Sequence, residues 1–141
     1  MTQPSLTQAN AIIAAALGNS QARALRPMAV VVVDSAGNLK AMQREDGASM
    51  FRIDIACGKA WAAVAMGVSS RALVQRAADN PNFFAALAAT SQGKFIPQTG
   101  AVLIKDANGQ ILGAVGASGG SGDEDESICI QGIEAAGLVA A

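Results

Sequence analysis

Apolar and polar positions along this chain recur with two different periods, and the changes of period mark its elements. Leu6, Ile13, Leu17 and the alanines between them return at helical spacing as far as about Arg23. The helix is preceded by Ser5-Leu6-Thr7-Gln8, which has the form of a capping box. Pro27 ends that pattern. Residues 28–34, MAVVVVD, are β-branched and apolar on both faces, as in a strand covered from both sides. Turn chemistry at Ser35-Ala36-Gly37-Asn38 sends the chain back through residues 39–44, which predicts a hairpin. Between residues 49 and 67 the period becomes helical again, with Phe51, Ile55, Ala62 and Met66 on one face and Trp61 within the helix. Ser69 or Ser70 is placed to cap a short helix to Asp79, and Asn80-Pro81 to cap and start another through Phe83, Phe84 and Leu87. Residues 93–100, GKFIPQTG, read as a loop. A second hairpin follows, with strands at 101–105 and 110–118 around Asp106-Ala107-Asn108-Gly109, whose Asn-Gly pair tolerates positive φ. The acids from Asp123 open a closing helix to about Leu138.

The order helix, hairpin, helices, hairpin, helix predicts an α+β layered domain. It would have an antiparallel sheet of at least four and about five strands, with helices lying on its faces. The hairpins are alike in shape, but their sequences do not align as a repeat. At 141 residues the chain suits one domain, residues 1–141, able to bury roughly two thirds of its unfolded surface. It is 51% hydrophobic and only 15% charged, lean for the surface of a small monomer, which predicts a homo-oligomer. A net charge of −1 with acids and bases interleaved offers no basic stripe to a phosphate backbone and argues against nucleic acid as a partner. The opening MTQPSLTQ lacks a basic region followed by an apolar core, and no apolar run approaches the ~20 residues that span a bilayer. The expectation is a cytoplasmic protein without a membrane partner. Cys57 and Cys129 fall in different predicted helices, each read as a small buried hydrophobe and not as half of a disulfide.

Histidine and tyrosine are absent. Any chemistry must therefore use carboxylates, Lys, Arg, Ser, Thr, Cys or backbone groups, and no metal site is expected. Four glycines between Gly116 and Gly122, with serines among them, follow a strand and open a helix. Such loops bind phosphate through backbone N–H groups, but Asp123, Glu124, Asp125 and Glu126 already occupy the first helical turn and would repel it. Two readings remain: a flexible connection with capping acids, or backbone bared so that another chain or a flat ligand can lie against it. Asp34 is read as closing its turn. Arg52 and Lys59 are seven residues apart, within about 20° of one another on a helix. Ala56 and Ala63 lie on the same stripe, small enough for a ligand to approach between two cations. Arg44 and Asp46 stand at the end of the second strand. Either these charges form a solvated face, or they line a pocket for a carboxylate, gripped by a guanidinium fork and an ammonium point charge.

VVD-x-x-G-x-L, R-x-DGA, IA-x-GKA and GA-V-G-x-SGG-x-x-x-x-DE together resemble the GlcG/HbpS-like family, whose fold also forms the C-terminal domain of PduO-type cobalamin proteins. The similarity covers most of residues 5–137. It implies a profilin-like α+β domain, oligomer formation, and heme or a related tetrapyrrole as ligand. It also brings Ser118, Asp125 and Glu126 to the site from the other end of the sheet, sometimes completed by a neighbouring subunit. The chain departs from the family pattern at Arg52, where a small residue is usual, and at Leu103, where Pro often stands. It also offers no histidine to heme iron.

Three functions follow. The first is a protein binding a small anionic ligand, heme or another flat molecule, through Arg44, Arg52, Lys59, Gly116, Ser118, Gly119 and Asp125. The second is an isomerase, lyase or hydrolase acting on a small organic acid held by Arg52 and Lys59, with Lys59, Asp46 and Glu126 as candidate proton carriers. The third is a structural or accessory subunit.

Overall fold

A computed structural model describes residues 3–141; Met1 and Thr2, part of the opening segment read above, lie outside them. The chain runs α1 (Leu6–Ala22), β1 (Ala29–Asp34), β2 (Leu39–Arg44), α2 (Phe51–Met66), α3 (Arg71–Asp79), α4 (Pro81–Thr90), β3 (Ala101–Lys105), β4 (Ile111–Ser118), α5 (Gly122–Ala135) and β5 (Val139–Ala140). The strands form one antiparallel sheet in the order β2-β1-β4-β3-β5, so the α+β layered architecture expected from the hairpins is the one observed. None of the helices among the described residues is long and apolar enough to cross a membrane.

The unbroken valine run of β1 sits at the centre of the sheet because both of its faces are covered. Val30 and Val32 pack with Ile12, Ile13, Ile128 and Ile133 of α1 and α5. Val31 and Val33 point the other way, against Ala56, Ala60 and Ala63 of α2. A third, smaller core joins Trp61 to Leu73, Phe84 and Phe95 beneath α3 and α4.

The capping box at α1 forms as its sequence implies: Gln8 N donates to Ser5 Oγ at 3.0 Å and Ser5 N to Gln8 Oε1 at 2.9 Å. Ser69 and Ser70 behave differently from the caps expected of them. Ala101 N donates to Ser70 Oγ at 2.9 Å and Leu103 N to Ser69 Oγ at 3.0 Å, so the two hydroxyls clasp the outer edge of β3. A bare strand edge invites unwanted pairing, and these serines together with β5 cover it. The closing helix stops at Ala135 rather than near Leu138 because the chain leaves it to pair Val139 and Ala140 with Lys105 and Ile104.

The alanine stripe of α2 is also corrected. Ala56 and Ala63 are fully buried against the sheet, so no ligand can reach Arg52 and Lys59 over that stripe. Gly116 explains the close approach. A Cβ at that position would stand 2.2 Å from the carbonyl oxygen of Ala56, nearer than any real contact.

Gly116→Ala is therefore expected to destabilise the fold by about 2–3 kcal/mol or more, as overpacking does where backbone must shift. Gly18→Ala, at an exposed position of α1 with open space where its Cβ would go, is expected to stabilise it by about 0.5–1 kcal/mol. Urea denaturation of the two variants measures both signs.

Candidate functional site

The first two turns of α2 face the loop that leaves β4 and enters α5. That loop is shaped by its own capping. Glu124 N donates to Ser121 Oγ at 3.1 Å and Ser121 N to Glu124 Oε1 at 2.9 Å, a capping box that fixes the rotation of α5. The four acids then separate by role. Glu124 closes the cap. Asp123 and Glu126 turn outward to Arg71 of α3, whose Nε lies 2.9 Å from Glu126 Oε2 and whose Nη2 reaches Asp123. Asp125 alone turns inward and is buried.

Inside, Asp125 meets Lys59. Lys59 Nζ donates to Asp125 Oδ2 at 3.0 Å and to the carbonyl of Ala117 at 3.1 Å. Gly120 N donates to the other carboxylate oxygen at 2.9 Å. Lys59 is 5% exposed and Asp125 2%. Burial pushes the Asp125 carboxyl above the usual aspartate value, against the opposing pull of Lys59 and the Gly120 N–H.

Arg52, one helical repeat earlier on the same face, remains half-buried. Its Nη1 donates to Ser118 Oγ at 3.1 Å and its Nε to Ser49 Oγ at 3.3 Å. Two adjoining clefts meet at Arg52 and Gly120. One, of about 340 Å³, is lined by Lys59, Gln98, Thr99, Ser118 and Asp125 among others. Its neighbour, of about 320 Å³, adds Arg26, Ser49 and Gly119. Arg26, Arg52 and Lys59 supply three positive charges against the single negative charge of Asp125. The excess of two makes the local potential positive.

Of the residues singled out in the sequence, Arg52, Lys59, Ser118, Gly119 and Asp125 come together here. Gly116 does not line the clefts, because it lies under α2. Arg44 and Asp46 line a different cleft of about 460 Å³ with Gln21, Pro27 and Glu45, where Arg44 Nη1 donates to the carbonyl of Ala48 at 2.6 Å and holds the turn. Glu126 is engaged by Arg71. The three candidate proton carriers, Lys59, Asp46 and Glu126, are thus held in separate surroundings.

Both cysteines are free. Cys129 is fully buried, and burial raises its thiol well above the ordinary value. Cys57 faces another cavity, on the far side of α2. Asp34 closes its turn by accepting from the backbone of Ala36 and Asn38, each at 2.9 Å.

Arg26, Ser49, Gln98 and Thr99 are additional lining residues that sequence reasoning missed. The only signals for them were position: Arg26 next to the helix-ending Pro27, and Gln98-Thr99 as the polar end of the loop before β3.

No curated protein sequence matches the chain. Among solved structures it is similar to a PduOC–heme complex, at 26% identity and a TM-score of 0.85 with 96% of each chain covered. It is similar to a doubly substituted HbpS of Streptomyces reticuli, at 27% identity and a TM-score of 0.82 over 95% of this chain and 87% of that one. Protein ORFY of Klebsiella pneumoniae matches at 27% identity and 0.82 over 94% and 90%. With the family model for haem degrading protein HbpS-like matching residues 5–134, the chain belongs to the HbpS-like family.

Proposed function

We propose that this protein binds a planar dianion of the tetrapyrrole class by its carboxylates, in the paired clefts around Arg52. The observation that carries the reading is the excess of two positive charges there. Arg52 is the centre of it. Its second terminal nitrogen has no protein partner among the described residues, whereas Lys59 already spends two donors on Asp125 and Ala117. An arginine fork beside a serine hydroxyl suits a carboxylate. The heme in the PduOC complex supports the ligand class.

The donor set fits the carboxylates of a heme and not its iron. The chain has no histidine or tyrosine, Met28 and Cys129 are fully buried, and Cys57 opens onto a separate cavity. The residues lining these clefts include no His, Tyr, Met or Cys to serve as an axial ligand. Binding is favoured over proton transfer because Lys59, Asp46 and Glu126 are not gathered around a common point. The same reading takes the protein to be a cytoplasmic homo-oligomer, supported by its few charges and by exposed Leu39, Met42, Met50 and Phe51 on and near the edge strand β2.

Hemin and metal-free protoporphyrin are expected to bind with affinities within a few-fold of each other in absorbance titrations, since the contacts lie at the carboxylates. Binding of hemin alone would contradict the reading, as would binding of neither. Arg52→Ala should weaken both by about tenfold to a hundredfold, the worth of a charge-assisted hydrogen bond.

Lys59→Met has a different signature. It leaves Asp125 buried without its cation and should cost about 3 kcal/mol of stability in urea titrations near neutral pH. A buried carboxyl with a raised pKa burdens the folded state above that pKa and is relieved when protonated. The deficit relative to the parent should accordingly shrink as pH falls.

A further inference from the structure

The opposite side of α2 borders a second cavity of about 700 Å³, within the roughly 300–1,000 Å³ of ordinary ligand pockets. Gly37, Asn38, Asp54, Trp61, Gln92 and Lys94 line it. An adjoining cavity of about 350 Å³ shares Trp61, Gln92 and Lys94, so the indole stands between the two. Trp61 is held from behind by Phe95, edge to face with ring centres 6.5 Å apart. The β1–β2 turn can lie on the indole edge because residue 37 is glycine: a Cβ there would be 2.8 Å from Cδ1 and Nε1.

Gln92 is the unusual member. It ends α4 in the left-handed region at φ 58°, a conformation that costs a residue with a Cβ roughly 1–2 kcal/mol and that glycine adopts freely. Ala24 closes α1 with the same strain, at φ 54°, but lines neither cavity. Gln92 differs because its side chain borders both cavities, and its amide has no protein partner among the described residues. Asp54 and Lys94 likewise have no ion partner among the described residues. They give this cavity one negative and one positive charge, a balance of zero where the Arg52 clefts carry an excess of two.

We propose that this cavity is a second, independent site for a small aromatic zwitterion of the α-amino acid class. The ring packs on Trp61, the carboxylate meets Lys94, the ammonium meets Asp54, and the Gln92 amide bonds to the polar end. A flat apolar ring gains from packing on a half-buried indole. A neutral pair of opposite charges favours a molecule carrying both signs over one carrying either alone.

Trp61 is the single tryptophan and the chain has no tyrosine, so its emission reports on the surroundings of this one indole. Titration with L-phenylalanine should change that emission saturably. Phenethylamine, which lacks the carboxylate, and hydrocinnamate, which lacks the ammonium, should each bind roughly fivefold more weakly, the effect of one exposed ion pair. Lys94→Gln should erase the preference over phenethylamine and Asp54→Asn the preference over hydrocinnamate. Gln92→Gly should raise the thermal midpoint while weakening binding.

L-phenylalanine should also slow alkylation of Cys57, which lines the same cavity. Arg52→Ala should leave the titration unchanged, which separates this site from the tetrapyrrole site. An emission that never saturates, equal binding of the three probes, or unprotected Cys57 would overturn the proposal.

Discussion

A buried ion pair ties together the end of the molecule where the site lies. Lys59 and Asp125 meet at 3.0 Å with almost no solvent access, joining α2 to α5 across the last residues of β4. A charge taken from water alone is costly, so each partner is tolerable only because the other is held opposite it. Lys59 also bonds to Ala117, and Asp125 to Gly120. The pair thereby fixes two helices and the backbone of the glycine loop in one arrangement. Arg52 and Ser118 owe their places beside the cleft to that arrangement.

Lys59 and Arg52 share a helical face yet differ in what they can do. Lys59 is consumed in structure, and its charge reaches the clefts only after partial cancellation by Asp125. Arg52 sits half-exposed where two clefts join, held by two serine hydroxyls that orient the guanidinium without neutralising it. Neutral partners preserve the full positive charge for a ligand. That division of labour explains how a chain with a net charge of −1 presents a strongly cationic cleft.

The helix that carries these cations is pressed onto the sheet by alanines and by Gly116. Close seating leaves no space between helix and sheet, so the two sets of clefts beside α2 lie along its flanks. One flank is cationic and lies at the β4–α5 loop. The other is balanced in charge and bordered by Trp61 and the residues that follow α4. One rigid helix thus separates two surroundings of different electrostatic character.

Local chemistry made most of the fold legible in advance. The period of apolar residues assigned the long helices, the all-valine strand announced burial on both faces, and turn residues marked the hairpins, because each signal acts between neighbours in the chain. Arg52 and Lys59 were legible as a pair for the same reason, since helical geometry fixes their common face. Ser69 and Ser70 were misread as caps because their partners, Ala101 and Leu103, lie more than thirty residues away. The glycine run left two readings open, a flexible connection or bared backbone awaiting a partner, and for Gly116 the partner is the Ala56 carbonyl of the same chain.

Nor could composition sort the acids at 123–126 into a cap, two surface pairs and one buried counter-ion, or bring Arg26 beside Arg52. The sequence by itself determined the elements and the residue types available for chemistry. Tertiary structure decided which charges are spent on one another and which remain for a ligand, because that depends on burial and on distances between segments far apart along the chain.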